Sequence, residues 1–207
     1  MTARPRPLAI DLCCGLGGWA DGLLAEGYDV VGFDIEAHEY GEHRYPGLLV
    51  IQDIRTLHGS QFRRAALIVA SPPCQGYSYR AMPWKKAKAL PPPDNTLFET
   101  CFRIQREACE AAGRHIPMVV ENVRGAQKYV GAARWNYGSF YLWGDVPALM
   151  PANVDHVKLG GSWFYGYRKG QGPRNHGSKS RARKAASAMI AKIPLPLARH
   201  IARAARP

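Results

Sequence analysis

Short apolar runs recur along this chain, and most of them end in a polar or glycine-rich turn. Leu8–Cys13 reads as a buried strand, and the Gly15–Gly18 turn after it leads into Trp19–Glu26, helical in composition, with Gly27 as its stop. Asp29–Asp34 is a second strand ending in an acid, Leu48–Gln52 a third ending at Asp53, and Leu67–Ser71 a fourth. Pro72 and Pro73 then forbid both helix and strand, because each fixes φ and lacks a backbone donor. From Gly76 to Pro93 no periodicity survives; a loop of that length inside a compact domain is functional or disordered. Asp94 or Asn95 is predicted to cap a helix running towards Gly113, with Leu97, Cys101, Ile104 and Ala108 on one face. Met118–Val123 is a fifth strand and Ser139–Trp143 a sixth; Ala182–Ala191 and Pro196–Ala205 are helical. Strands alternating with helical segments predict an α/β fold, a mostly parallel sheet with helices on both faces.

A chain of 207 residues suits one well-buried domain with a small appendage. The net charge of +12 is concentrated at one end: from His156 onwards there are twelve Lys or Arg and no Asp or Glu. A one-sided field of that kind favours a polyanion or makes a solubilising tail. Trp163, Phe164, Tyr165 and Tyr167 lie within it and favour nucleic acid, since disordered tails are poor in aromatics. No apolar stretch approaches a membrane span, and the N-terminus has no signal-peptide core. The five cysteines include no CxxC pair, so neither a disulfide framework nor a metal site is expected, and the compartment is a reducing cytosol.

The strand ends carry the candidate chemistry. Gly15, Gly17 and Gly18 would let backbone approach a ligand at a helix N-terminus, or would simply make a tight turn. Asp34 fits a carboxylate bonding a ribose diol, and Asp53 an acceptor for an adenine amino group. An adenosine cofactor follows, with NAD one candidate; the turn is GxGG rather than GxGxxG, which argues against it. Cys74 is presented rigidly at the carboxyl end of the fourth strand, where open α/β sheets bind ligands; alone it could equally be an inert buried thiol. Glu121 ends the neighbouring strand, although it could instead cap a helix or pair with Arg124. A thiolate adds to C6 of a pyrimidine only if ring charge is taken up, which an acid at N3 can do. The adduct makes C5 nucleophilic towards an activated methyl, and S-adenosylmethionine offers both that methyl and an adenosine.

These residues resemble the C5-cytosine DNA methyltransferases over most of the chain. Asp11-Leu12-Cys13-Cys14-Gly15-Leu16-Gly17-Gly18 is similar to the family's cofactor loop, and Phe33-Asp34-Ile35 and Gln52-Asp53-Ile54 to its ribose and adenine motifs. Ser71-Pro72-Pro73-Cys74-Gln75 is similar to the nucleophile motif, with Pro72 placed beside the cofactor. Glu121-Asn122-Val123 matches the motif whose Glu engages the ring and whose Asn braces the nucleophile loop; Ile193–Ala198 resembles the C-terminal motif that folds back beside the cofactor. The resemblance implies a Rossmann-like S-adenosylmethionine-dependent methyltransferase that swings its target cytosine out of duplex DNA. Gln75 and Ser78 would lie near the flipped nucleotide. Arg80, Lys85, Lys86 and Lys88 would contact phosphates from a mobile loop, joined by Arg168, Lys169, Arg174, Lys179, Arg181, Arg183 and Lys184.

Residues 1–150 would then be the catalytic and cofactor-binding domain, 151–185 a reduced DNA-recognition region, and 186–207 a C-terminal helix returning to the core. Cys13 and Ile35 stand where the family often has aromatics, which implies a weaker hold on the cofactor. The Gln-x-Arg-x-Arg motif is missing as such, and Arg134 is its best substitute. Only ~50 residues separate the sixth strand from the C-terminal motif, at the lower bound of a domain. Base readout must come from Lys158–Lys184, concern a short site, or depend on a partner. The expected protein is a cytoplasmic, nucleoid-associated monomer without a membrane or metal requirement. A tRNA cytosine-5 methyltransferase and a catalytically degenerate DNA-binding or regulatory protein are the rival expectations.

Overall fold

The computed structural model describes residues 5–78, 91–150, 177 and 180–207. Arg80, Lys85, Lys86, Lys88, Arg168, Lys169, Arg174 and Lys179 lie outside the described residues. The strands are β1 (Leu8–Leu12), β2 (Asp29–Asp34), β3 (Leu48–Ile51), β4 (Leu67–Ala70), β5 (Met118–Asn122), β6 (Trp135–Tyr137) and β7 (Phe140–Gly144). The helices are α1 (Gly18–Ala25), α2 (Thr96–Ala112), the single turn α3 (Gln127–Val130), α4 (Arg181–Ala191) and α5 (Leu195–Ala204). No helix among the described residues is long and apolar enough to cross a membrane.

The strands form one sheet in the order β3-β2-β1-β4-β5-β7-β6, parallel from β3 to β5. Two features depart from the sequence expectation. The predicted sixth strand runs antiparallel to β5, and an additional edge strand, Trp135–Tyr137, pairs with it through a two-residue turn at Gly138 and Ser139. Gly138 takes a φ of 59°, which a tight hairpin needs and other residues resist. A three-residue edge strand with two exposed positions has no alternation long enough to read.

Period-two alternation divides the core between the two faces. Ala9, Val69, Val119 and Leu142 meet Trp19 and Leu23 of α1 and Leu197 and Ile201 of α5 on one side. Ile10, Leu12, Ile68, Ala70 and Val120 meet Phe98, Cys101, Ile104 and Ala108 of α2 on the other. Leu97 lies only at the rim, and its neighbour Phe98 enters the core edge-on against Trp143, 5.3 Å between centroids. Asn95 holds the cap position of α2, but Asp94 takes the first helical amide, that of Thr96, at 2.8 Å.

The C-terminal helix closes against α1. Tyr28 Oη donates to the Ala202 carbonyl at 2.9 Å, and Glu26 accepts from Arg199 at 2.6 Å and from Arg203 at 2.9 Å. Those two guanidiniums, Arg203 first, hold the Glu26 carboxyl below its usual range. A Cβ on Gly22 would come 2.4 Å from Ala198 Cβ, so only glycine permits this approach of the two helices.

Candidate active site at the carboxyl ends of β1, β4 and β5

Strand order reverses between β1 and β4, and at such a switch point the loops diverge and open a crevice beyond the carboxyl ends. Of the four buried polar side chains among the described residues, three end strands here: Asp11 on β1 and Glu121 and Asn122 on β5. Burying a polar group without a partner is costly, so such a concentration marks either a bonded network or a binding site.

The loop after β4 belongs to a bonded network. The Ser71 amide donates to the Leu12 carbonyl at 3.1 Å, and Trp19 Nε1 donates to Ser71 Oγ at 3.0 Å. Asn122 Nδ2 donates to the buried Pro72 carbonyl at 2.9 Å, while its Oδ1 accepts from the Val123 amide at 2.8 Å. Pro72 and Pro73 bring no ladder donor, and beyond the end of β4 this side chain satisfies the buried Pro72 carbonyl. Cys74 follows, partly exposed, with helical backbone angles that start a one-turn 3₁₀ segment, Gln75–Tyr77. The segment is anchored by buried Tyr77, whose Oη donates to Asn95 Oδ1 at 2.9 Å, and Gly125 lies against its carbonyl, where a Cβ would come within 2.2 Å. Gln75 is exposed and Ser78 partly so. Glu121 lies one residue before Asn122, buried, and so points to the face that carries Asp11.

Asn122→Ala removes the Pro72 bond and leaves a buried carbonyl unsatisfied. It should cost about 2 kcal/mol, read from urea unfolding; an unchanged midpoint would show that the loop is held by other contacts.

The turn after β1 divides its glycines between two tasks. Cys13 takes a φ of 54°, the one positive value at a non-glycine among the described residues. Gly15 also has a positive φ, and a Cβ there would meet none of the described residues within 4 Å. Gly17 and Gly18 instead meet the chain itself: Cβ atoms there would lie 2.3 Å from Pro46 Cδ and 2.3 Å from the Ile193 amide nitrogen. Only Gly15 therefore leaves space for a ligand; the other two admit the β2–β3 loop and the segment before α5. Leu16 is buried. Burial, with Cys101 and Asp34 adding, pushes the Cys13 thiol well up, and burial does the same to Cys14, so neither is a thiolate at neutral pH. Burial likewise pushes the Asp11 carboxyl well up, against the hydrogen bond from Tyr45.

Asp34 ends β2 and locks this turn, accepting from the Gly15 amide at 2.9 Å and from the Ile35 amide at 2.8 Å. His38 Nε2 lies 3.5 Å from Asp34 Oδ1 and its Nδ1 3.8 Å from Glu36. Burial works to raise the Asp34 carboxyl, but the bonds from His38 and Gly15 prevail and hold it low; the same contact with Asp34 raises His38. The depressed Asp34 adds stability above the ordinary carboxylate range, and the raised His38 adds it below the ordinary imidazole value. The pair should contribute most between about pH 4 and 6.5, fading as pH falls through Asp34 or rises through His38. His38→Gln should therefore lower stability by ~0.5 kcal/mol near pH 5.5 and by less at pH 9, in urea titrations at both values. A loss that grows with pH would contradict the pairing.

The remaining predicted residues are spread more widely. Ile35 is 70% exposed beside Asp34. Asp53 turns its carboxylate to the guanidinium and amide of Arg55, which hold it low. The Ile54 side chain is buried with Phe33, Leu57 and Phe62. Arg134 is exposed on the far edge, its amide donating to the Leu142 carbonyl at 2.8 Å, with β7 between β6 and β5. Helix α4 lies over the loop after β2: Arg181 Nη2 donates to the Glu39 carbonyl at 3.4 Å and Lys184 Nζ is 3.9 Å from Glu36. The Arg183 amide takes the Ser180 cap at 3.3 Å. Sequence reasoning passed over Trp19, His38 and Tyr45. Only His38 left a signal, an imidazole four residues after a strand-end acid.

The sheet order, parallel from β3 to β5 with β7 antiparallel beside β5, is that of a Rossmann-like methyltransferase fold. The chain belongs to the C-5 cytosine-specific DNA methylase family, whose model matches residues 8–129, from β1 through the β5 tip to α3. Among solved structures it is similar to an E. coli prophage-encoded protein described as a DNA modification methyltransferase, at 26% identity, TM-score 0.43, over 60% of this chain and 35% of that one. It is also similar to the S. pombe Dnmt2 methyltransferase, at 17% identity, TM-score 0.40, over 61% and 37%. The Entamoeba histolytica methyltransferase EhMeth aligns at 17% identity, TM-score 0.39, over 62% and 41%. The chain thus spans well under half the length of these structures. No curated protein matches it.

Proposed function

We propose that this chain is a minimal S-adenosylmethionine-dependent methyltransferase that makes 5-methylcytosine in duplex DNA. The observation that carries the reading is the Asn122–Pro72 bond, which ties the thiol-bearing loop to the strand end that holds Glu121. Several features fit the cofactor. Among the described residues Asp11 has a buried oxygen without a partner and Gly15 faces open space, and Ile35 exposes an apolar face next to Asp34, the candidate ribose ligand. Asp53 and the Ile54 backbone would border the adenine, with Cys13, Leu16 and Pro72 along the rest of the groove. When bound, S-adenosylmethionine supplies an electrophilic methyl group.

The chain's own residues do the rest. Cys74, as thiolate, bonds to C6 of the flipped cytosine, and Glu121 holds and protonates N3 as ring charge develops. C5 would then take the methyl, with S-adenosylhomocysteine as the leaving group; the C5 proton passes to solvent, the Cys74–C6 bond breaks to return the thiolate, and N3 gives its proton back to Glu121, releasing 5-methylcytosine. Asn122 fixes the loop backbone, and Gln75 and Ser78 flank the nucleotide. Arg134 is the candidate replacement for the missing arginine motif. The basic residues between Arg80 and Lys88 and between Arg168 and Lys184 provide phosphate contacts, whose loss flattens the salt dependence of binding. Sequence recognition by so short a chain calls for a brief site or a partner.

The test is transfer of tritiated methyl from labelled S-adenosylmethionine to duplex DNA and, in parallel, to tRNA. Label in DNA is expected; label in tRNA alone would replace the DNA reading, and label in neither would end it.

A further inference from the structure

Tyr45 lies in the loop between β2 and β3, and the chain around it is cut back to admit its ring. A Cβ on Gly32 would come 2.3 Å from Tyr45 Cζ, one on Gly17 3.0 Å from Cδ2, and one on Gly47 3.1 Å from Cε1. Glycines from three separate segments therefore line one slot, which a side chain at Gly32 would close. Phenylalanine would fill the same slot, so packing alone does not account for a phenol there. The hydroxyl is buried with the ring and donates to Asp11 Oδ2 at 3.3 Å.

Asp11 is completely buried on β1, two residues before the turn whose Gly15 faces open space. Its second oxygen, Oδ1, has no hydrogen-bond partner among the described residues. A buried carboxyl oxygen left bare is unfavourable, and it is retained where a ligand completes it. Apart from Tyr45, the titratable side chains that act on Asp11 are acids or thiols: Asp34, Asp21, Cys13 and Cys14. Asp21 is itself held by Lys192 at 2.7 Å. The missing partner is thus a cation or a strong donor arriving in the crevice, and the donor proposed above carries an ammonium group at its amino-acid end.

We infer that Tyr45 is a positioning residue for the methyl donor: it fixes one oxygen of Asp11 so that the other receives the donor's cationic amino-acid end. The inference rests on the cofactor reading above and adds to it a residue and a division of labour. The adenosine end is held at Asp34, and the amino-acid end answers to Asp11 under the control of Tyr45.

Calorimetric titration of the full chain with S-adenosylmethionine and with 5′-methylthioadenosine, which lacks the amino-acid end, separates the two ends. Tyr45→Phe should bind S-adenosylmethionine about tenfold more weakly and methylthioadenosine as the unaltered chain does, with an unchanged melting temperature. Asp11→Asn, which keeps the shape of the buried group, should show the same selective loss. Equal weakening of both ligands, or none, in Tyr45→Phe would overturn the inference while leaving the cofactor reading intact. An unaltered chain that binds neither ligand would overturn both.

Discussion

Cys74→Ala should abolish methyl transfer, by about four orders of magnitude or more, and leave the fold in place. In the proposed mechanism the thiol is the group that bonds to carbon, and the other four cysteines offer no substitute. Cys14 and Cys101 are buried, Cys109 reaches towards the Ile116 carbonyl, and Cys13 is pushed away from its thiolate form by burial. The backbone of the loop is held by hydrogen bonds of its own. Its position comes from the Asn122–Pro72 bond, the Ser71–Leu12 bond and the Tyr77 amide, which donates to the Cys74 carbonyl at 3.0 Å. The melting curve should therefore follow that of the unaltered chain, within about 0.5 kcal/mol, and DNA binding should survive. Turnover retained in this variant would remove Cys74 from the chemistry.

Gly18→Ala should cause the largest loss of stability of the changes considered. Alanine is the better helix former, by about 1 kcal/mol, so helix propensity alone predicts a gain. The added methyl would instead lie 2.3 Å from the Ile193 amide nitrogen and 2.9 Å from its carbonyl oxygen. Those are backbone atoms leading directly into α5, and they cannot rotate aside as a side chain would. Either α1 or the C-terminal segment must move, and the buried faces of Leu197, Ala198 and Ile201 would separate from Trp19 and Leu23. A net loss of about 2–3 kcal/mol is expected, seen as a lower urea midpoint and faster proteolytic release of residues 193–207. A stabilised variant would mean that this segment does not rest on α1.

The central strands were legible because they are short apolar runs buried on both faces. Asp29–Asp34 has the bounds its pattern predicts, and Leu8, Leu48, Leu67 and Met118 each begin the strand assigned to them. The edge was harder to read. Trp135–Tyr137 is too brief for a period, and nothing in Phe140–Gly144 announces an antiparallel partner, since direction is set by the chain's path. The glycine turn shows the same limit. Read along the chain, Gly15, Gly17 and Gly18 look like one ligand cradle; in space Gly17 serves Pro46, and Gly18 serves Ile193, far away in sequence. Ile54 belongs to the core and Asp53 faces Arg55, contacts that a strand-end motif does not reveal. Tyr45 was invisible for a related reason: its slot is assembled from three segments, and no one of them carries the pattern.

The most direct measurement uses a duplex in which the target cytosine carries fluorine at C5. Fluorine cannot leave as the proton does, so after methyl transfer the C6–sulfur bond has no route to break. With S-adenosylmethionine present, digestion and mass spectrometry should find the fluoro-methyl-cytosine adduct on the peptide containing Cys74, and none without the cofactor. An adduct on another residue, or no adduct from a preparation that methylates ordinary DNA, would contradict the account.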